Sequence, residues 1–181
     1  MIVKVGIFTL VAAIFFCLFS FAFALEAVPQ APIPTPSPVN YALPYPGILP
    51  GHPLYFLKLL RDRILLFLIK NPVRQVEFRT LLADKRLNSA IYLMDQGKSE
   101  VALNTLGEAT GYLRDAENLL FEISAGTPEI NNLKDRVEKS LAKHQEVISG
   151  FLASESPDTR TQLTKILQDL EGISAEYTRK K

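Results

Sequence analysis

From residue 53 to the end of the chain, apolar side chains recur at the three-and-four spacing of a helix. Interruptions of that rhythm divide it into five segments. Three interruptions use the same device. Asn71-Pro72, Thr127-Pro128 and Ser156-Pro157 each set a good N-cap residue before a proline at the first helical position. Gly97 closes a further segment, and Gly126 stands where a C-cap belongs. The pattern predicts helices over about 53–70, 72–96, 99–125, 128–154 and 157–179. Short connections favour antiparallel neighbours. The expected fold is all-α, an antiparallel bundle of about five helices spanning residues 53–181.

The apolar seams support this. In the third segment Ala102, Leu106, Ala109, Leu113, Ala116, Leu120 and Ile123 alternate steps of four and three, the a/d rhythm of a coiled coil. Its alanine layers let a neighbour approach closely. The second segment carries Val76, Thr80, Ala83, Leu87, Ala90 and Met94. The fourth carries Ile130, Leu133, Val137, Leu141, His144, Ile148 and Phe151, and the fifth Leu163, Ile166, Leu167, Leu170, Ile173 and Tyr177. Such stripes read as packed core before they read as the lining of a ligand site.

The first segment differs. Twelve of the sixteen residues from 54 to 69 are apolar or tyrosine. A helix apolar on all sides is normally central, and that position is expected here. Lys58, Arg61 and Asp62 share one stripe, with Lys58 and Asp62 spaced to pair at i,i+4. Arg63 projects from the opposite side, among Phe56, Leu60 and Phe67. A membrane span is the rival reading, made costly by four charges at mid-segment.

Upstream, the character of the chain changes twice. Residues 1–24 place Lys4 before an apolar run over 5–21, followed by the small-residue step Ala22-Phe23-Ala24. This reads as a signal peptide cleaved after Ala24, or as an uncleaved anchor, since the run approaches bilayer-spanning length. Residues 25–40, "LEAVPQAPIPTPSPVN", are too rich in proline and small residues to build a core. They read as a semi-rigid spacer, the alternative being a proline-rich ligand for an aromatic groove.

Composition removes most chemistry. The chain has 181 residues, one cysteine, two histidines and no tryptophan. Loss of residues 1–24 would take Cys17 and Lys4 with it, leaving 19 basic against 19 acidic side chains and no thiol. That balance gives no nucleic-acid footprint and no polybasic membrane patch. Contact with a membrane is expected only through residues 1–24, if uncleaved. No paired histidines at ligand spacing, cysteine pair, glycine-rich phosphate loop or Gly-x-Ser-x-Gly is present. His52, just before the first helix, reads as a capping or solvent-facing residue, and His144 as a core histidine. No enzyme activity, metal or cofactor is expected.

Nine of the twelve prolines lie between Pro29 and Pro53. The last of them sit in a different setting, "YALPYPGILPGHP", directly against the most apolar helix. Here Tyr41, Leu43, Tyr45, Ile48 and Leu49 are apolar handles on a backbone with few conformations. Pro44, Pro46 and Pro50 lower the entropy lost on ordering it. Residues 41–52 therefore read as an ordered strap lying on the helices, with Tyr45 and Leu49 buried and residues 32–38 exposed. Docking of another exported or cell-surface protein on the strap is the alternative.

"YALPYPGILPGHPLYFLKLLRDRI", followed by Pro72 and "LADKRLNSAIYLMDQGK", resembles the bacterial domain-of-unknown-function family DUF5667 over about residues 41–112. Asn88-Ser89-Ala90 departs from the acidic-alanine step expected there. The resemblance implies a secreted or surface-facing helical domain and carries over no catalytic residue. Some members accompany sigma-factor regulation, which would fit a sensor.

One structural site is expected from the first helix. On its apolar side Arg63 cannot be left unpaired without a large desolvation cost. Folding the chain back at residues 71–72 and again at 97–98 brings Asp84, Glu77 and Glu117 to its level. Arg63 is expected to pair with one of them, Asp84 first. The alternative is that its methylenes carry the guanidinium to water. The functional expectation is an exported, non-enzymatic structural or interaction module, extracellular, cell-surface or periplasmic. The alternative is the extracytoplasmic part of a membrane-anchored signalling regulator.

Overall fold

The three helix starts marked by a capping residue before proline are capped as the sequence requires. In the computed structural model, which describes residues 38–123 and 127–180, five helices follow one another: α1 Tyr55–Leu68, α2 Pro72–Asp95, α3 Ser99–Glu122, α4 Pro128–Leu152 and α5 Pro157–Lys180. The Arg74 amide donates to Asn71 Oδ1 (3.1 Å), Ile130 to Thr127 Oγ1 (3.4 Å) and Thr159 to Ser156 Oγ (3.4 Å). Each bond satisfies one of the amides that a helix start leaves unpaired. No strand occurs among the described residues. The proposed C-cap at Gly126, the signal peptide and nearly all of the spacer, including residues 32–37, lie outside the described residues.

The α2–α3 turn is a Schellman closure. Gly97 N–H donates to Met94 O and Lys98 N–H to Leu93 O, both at 2.9 Å. Gly97 takes φ +70° to do so, a conformation that costs an L-residue with a Cβ. The helices on either side run antiparallel, as two rungs show. Arg79 meets Asp115 at 3.7 Å, and seven residues on Arg86 meets Glu108 at 2.8 Å, seven residues back.

The α2–α3 contact is the most extensive in the molecule, because the small layers allow it. Ala83, Ala90, Ala102, Ala109 and Ala116 are all fully buried, with Leu87, Leu106 and Leu113 between them. The α4–α5 pair packs over this hairpin, α4 touching α2 and α3, and α5 touching α3. Leu133, Val137, Leu141, Ile148, Leu163, Leu170, Ile173 and Tyr177 close the core. The predicted seams of α2 to α5 are thus the core.

The first helix corrects the expectation. It is peripheral rather than central. Its charged residues Lys58 and Asp62 are the buried ones, and most of its apolar residues are exposed.

The Gly97 turn generates a stability prediction. A Cβ added at residue 97 would meet nothing within 4 Å, so substitution there costs backbone strain and no packing. Gly97→Ala should lower unfolding free energy by about 1 kcal/mol. Gly97→Asn should lose less, because asparagine tolerates positive φ. Urea denaturation of the two variants checks the order.

Candidate functional site

The described chain before α1 is an extended strap, and it is held mainly by its backbone. Proline-rich extended chain has no internal hydrogen bonds, so its carbonyls are free to accept. Val39 N–H donates to Glu146 Oε2 on α4 (2.8 Å). Asn88 Nδ2 on α2 donates to Pro44 O (2.9 Å). Lys58 Nζ on α1 donates to Pro46 O (2.8 Å) and Ile48 O (3.0 Å). The strap therefore ties α4, α2 and α1 together. Asn88, part of the step that departs from the family-like pattern, is one of the ties.

Of the strap handles, Leu43 packs on the core, Tyr41 and Leu49 are half-buried, and Ile48 stays exposed. Tyr45 corrects the expectation of burial: it is 78 % exposed. Pro46 beside it is the buried residue. The lysine pulls the backbone inward at this point, and the tyrosine ring is left outside.

Tyr41 anchors the strap through its hydroxyl. It donates to Asp84 Oδ2 at 2.5 Å, and Ser140 Oγ of α4 donates to Asp84 Oδ1 at 2.6 Å. Burial, reinforced by the Asp84 carboxylate, pushes the Tyr41 hydroxyl up to about 12. His144 lies alongside, fully buried. Its Nδ1 faces Ser140 O (2.8 Å) and stands 4.0 Å from Asp84 Oδ1, while Nε2 faces Ala83 O (3.4 Å). Burial holds this imidazole below its usual pKa, against the pull of Asp84 and the two carbonyls. His144 is thus the core histidine expected. His52 is exposed, and its Nδ1 accepts from Leu54 N–H ahead of α1 (3.1 Å).

The buried guanidinium of this molecule is not Arg63. It is Arg86 of α2, fully buried, with Asp62 of α1 at 3.6 Å and Glu108 of α3 at 2.8 Å. The Tyr55 ring lies 5.5 Å from the same guanidinium, and exposed Arg61 adds a 2.6 Å bond to Asp62. Burial pushes the Tyr55 hydroxyl up to about 12, and burial together with Arg86 brings Lys58 down to about 8. Arg63 is exposed, in a cleft lined by Leu59, Glu108, Gly111, Tyr112 and Asp115. It makes no ion pair among the described residues, and each acid proposed for it lies elsewhere. Asp84 is held by Tyr41 and Ser140, Glu117 is buried on α3, and Glu77 lines an apolar hollow with Lys70, Asn71, Arg74 and Arg136. The expected lock exists with its charges exchanged, the acid coming from α1 and the arginine from α2.

The cause is the rotation of α1 about its axis. With Lys58 and Asp62 turned inward, Phe56, Leu57, Leu60, Ile64, Phe67 and Leu68 form one outward face, all exposed. At 3.6 residues per turn these six fall within about 120° of the helix circumference. Arg63 borders that arc on one side and Arg61 on the other. Sequence reading missed Arg86. Its only signal was its position on α2, three residues after the seam residue Ala83.

Such an arrangement defines a class of protein: a four-helix bundle carrying a fifth helix on polar contacts, apolar side outward. The domain of unknown function DUF5667 matches residues 47–171. This chain belongs to that family. The match starts inside the strap and continues past Tyr112, the limit legible in the sequence, through α4 and most of α5. No curated protein and no solved structure matches the chain.

Two predictions follow from these networks. Arg86→Met should cost about 3–5 kcal/mol, because buried Asp62 then keeps only the exposed Arg61 as its cation. Adding Asp62→Leu should recover most of that loss. Urea unfolding of the single and double variants decides it, and equal losses in both would mean that the pair does not hold α1.

The second concerns alkaline pH. The Tyr41 hydroxyl titrates at about 12 in the folded chain against an ordinary 10.0. Its stabilisation is therefore complete below pH 10 and lost as pH rises through about 12. At neutral pH Tyr41→Phe should cost about 1 kcal/mol for the lost hydrogen bond. The gap to the parent should close between pH 10 and 12. Tyr55 and Lys58 titrate alike in both proteins and drop out of the difference. Unfolding curves across that range check it, and a constant gap rejects it.

Proposed function

We propose that this protein is an exported, non-enzymatic interaction module whose working surface is the outward face of α1. The observation that carries the reading is the inverted helix. Six large apolar side chains are held in solvent by a buried ion pair and a lysine bound to the strap. Exposed apolar patches of this kind mark contact surfaces more often than reaction sites. The non-enzymatic part is supported by how the buried polar cluster around Asp84 is used. Asp84 spends both oxygens on Tyr41 and Ser140, and both nitrogens of His144 face backbone carbonyls.

Export is supported by the sequence of residues 1–24, and a proline-rich spacer over residues 25–40 would hold the bundle away from its point of attachment. The second reading, the extracytoplasmic part of a membrane-anchored regulator, draws on the same apolar run, which approaches bilayer-spanning length. Among the described residues no helix is long and apolar enough to cross a membrane, and the anchored reading rests on residues 1–24.

Intact-mass measurement of the protein recovered from its own cells tests this. Loss of residues 1–24 is the expected result and supports the free module. Retention of those residues in the membrane fraction supports the anchored regulator. Full-length chain in the cytoplasmic fraction would overturn both.

A further inference from the structure

We propose that the outward face of α1 docks flat on the surface of an anionic lipid bilayer. This names the partner of the surface on which the functional reading rests.

Three observations carry it. The first is the face itself: Phe56, Leu57, Leu60, Ile64, Phe67 and Leu68, with Phe67 74 % exposed. It continues onto the strap, where Ile48 is exposed and shares a hollow with Leu57.

The second is length. At about 1.5 Å per residue, a helix of 14 residues is too short to cross a hydrocarbon core of about 30 Å. A short helix with one apolar face and cationic borders lies in the interface plane instead.

The third is charge. Exposed Arg61 and Arg63 border the apolar arc on opposite sides, and exposed Lys70 and Arg74 follow at its C-terminal end, Lys70 Nζ standing 4.6 Å from the Phe67 ring. The only acid between residues 54 and 74 is Asp62, which is buried and shared between Arg61 and Arg86, while Glu77 lines one hollow with Lys70 and Arg74. The acids nearest Arg63, Glu108 and Asp115, already pair with Arg86 and Arg79. A rim on which exposed cations outnumber the acids suits anionic headgroups, while the apolar residues between them enter the acyl boundary.

The same charges argue against a second copy of the chain. A two-fold contact places the same patch on both sides. It would bring the arginine borders of one α1 against those of the other, where cations outnumber acids.

The chain has no tryptophan, so one introduced indole reports one position. Phe67→Trp and a control, Tyr92→Trp near the far end of α2, are each made in the full chain. Both are reconstituted into vesicles of equal parts phosphatidylglycerol and phosphatidylcholine, with far-UV circular dichroism confirming that they fold. Both variants carry residues 1–24, so any attachment through that run is common to them and only the α1 contact separates them.

Docking predicts blue-shifted emission at residue 67, reduced about twofold by lipids brominated on the acyl chain, with residue 92 unaffected. Adding Arg61→Gln and Arg63→Gln, or replacing the anionic lipid by phosphatidylcholine, should restore water-like emission at residue 67. Equal quenching of both positions by aqueous iodide, with no effect of bromine, overturns the proposal. So does shielding of residue 67 that grows with protein density in the vesicle and ignores bromine, which assigns the face to a second copy. Either failure leaves the mass test of export unaffected.

Discussion

The Asp62–Arg86 pair decides how this molecule is arranged. Asp62 can enter the protein only where a cation meets it, because an unpaired buried carboxylate costs several kcal/mol. Arg86 is fully buried on α2 and supplies that cation, shared with Glu108 of α3. Once the pair forms, the rotation of α1 is set. Lys58, one turn before Asp62, must also face inward, and the opposite apolar arc must face outward. A helix whose composition belongs in a core is thereby kept at the surface. Such a pair adds little net stability compared with apolar residues of the same size. What it contributes here is orientation.

Lys58 extends the same constraint to the strap. A buried ammonium needs acceptors, and the strap offers the carbonyls of Pro44, Pro46 and Ile48, left free by its own amides. Two of them close on Lys58, a third on Asn88, and the Tyr41 hydroxyl reaches Asp84. The prolines that leave these carbonyls free also reduce the entropy lost when the strap is ordered. Polar groups on three helices thus fasten one extended segment, and α1 is held from both sides, by the bundle beneath it and by the strap before it. The surface this presents is apolar at the centre and cationic at the rim, with its acid hidden.

The four helices of the bundle were legible in the sequence, because local rules and tertiary demands agree there. Asn71, Thr127 and Ser156 cap their helices wherever the helices pack. Gly97 must reverse the chain, and the alanine layers of α3 serve whichever neighbour comes closest. His144 could be placed in the core by its period alone. The burial of Pro46 was not legible, because pattern reading weighs side chains, whereas this strap is fastened largely through its carbonyls. Tyr45 was assigned burial for the same reason, and it lies outside.

What the sequence by itself determined is therefore the number, length and termini of the helices, the core faces of α2 to α5, and family membership through the strap and first helix. Only the tertiary structure decided which face of α1 turns inward. Both of its stripes were admissible on the helix alone, one apolar with Arg63 at its edge, the other carrying Lys58 and Asp62. The choice depends on a guanidinium 24 residues away in sequence and a carboxylate 46 residues away, counted from Asp62 to Arg86 and Glu108. Helical periodicity carries no information about charges at that separation. It took the packing of α2 on α3 to set Arg86 beside Glu108 with one side open, and Asp62 is the group that fills it.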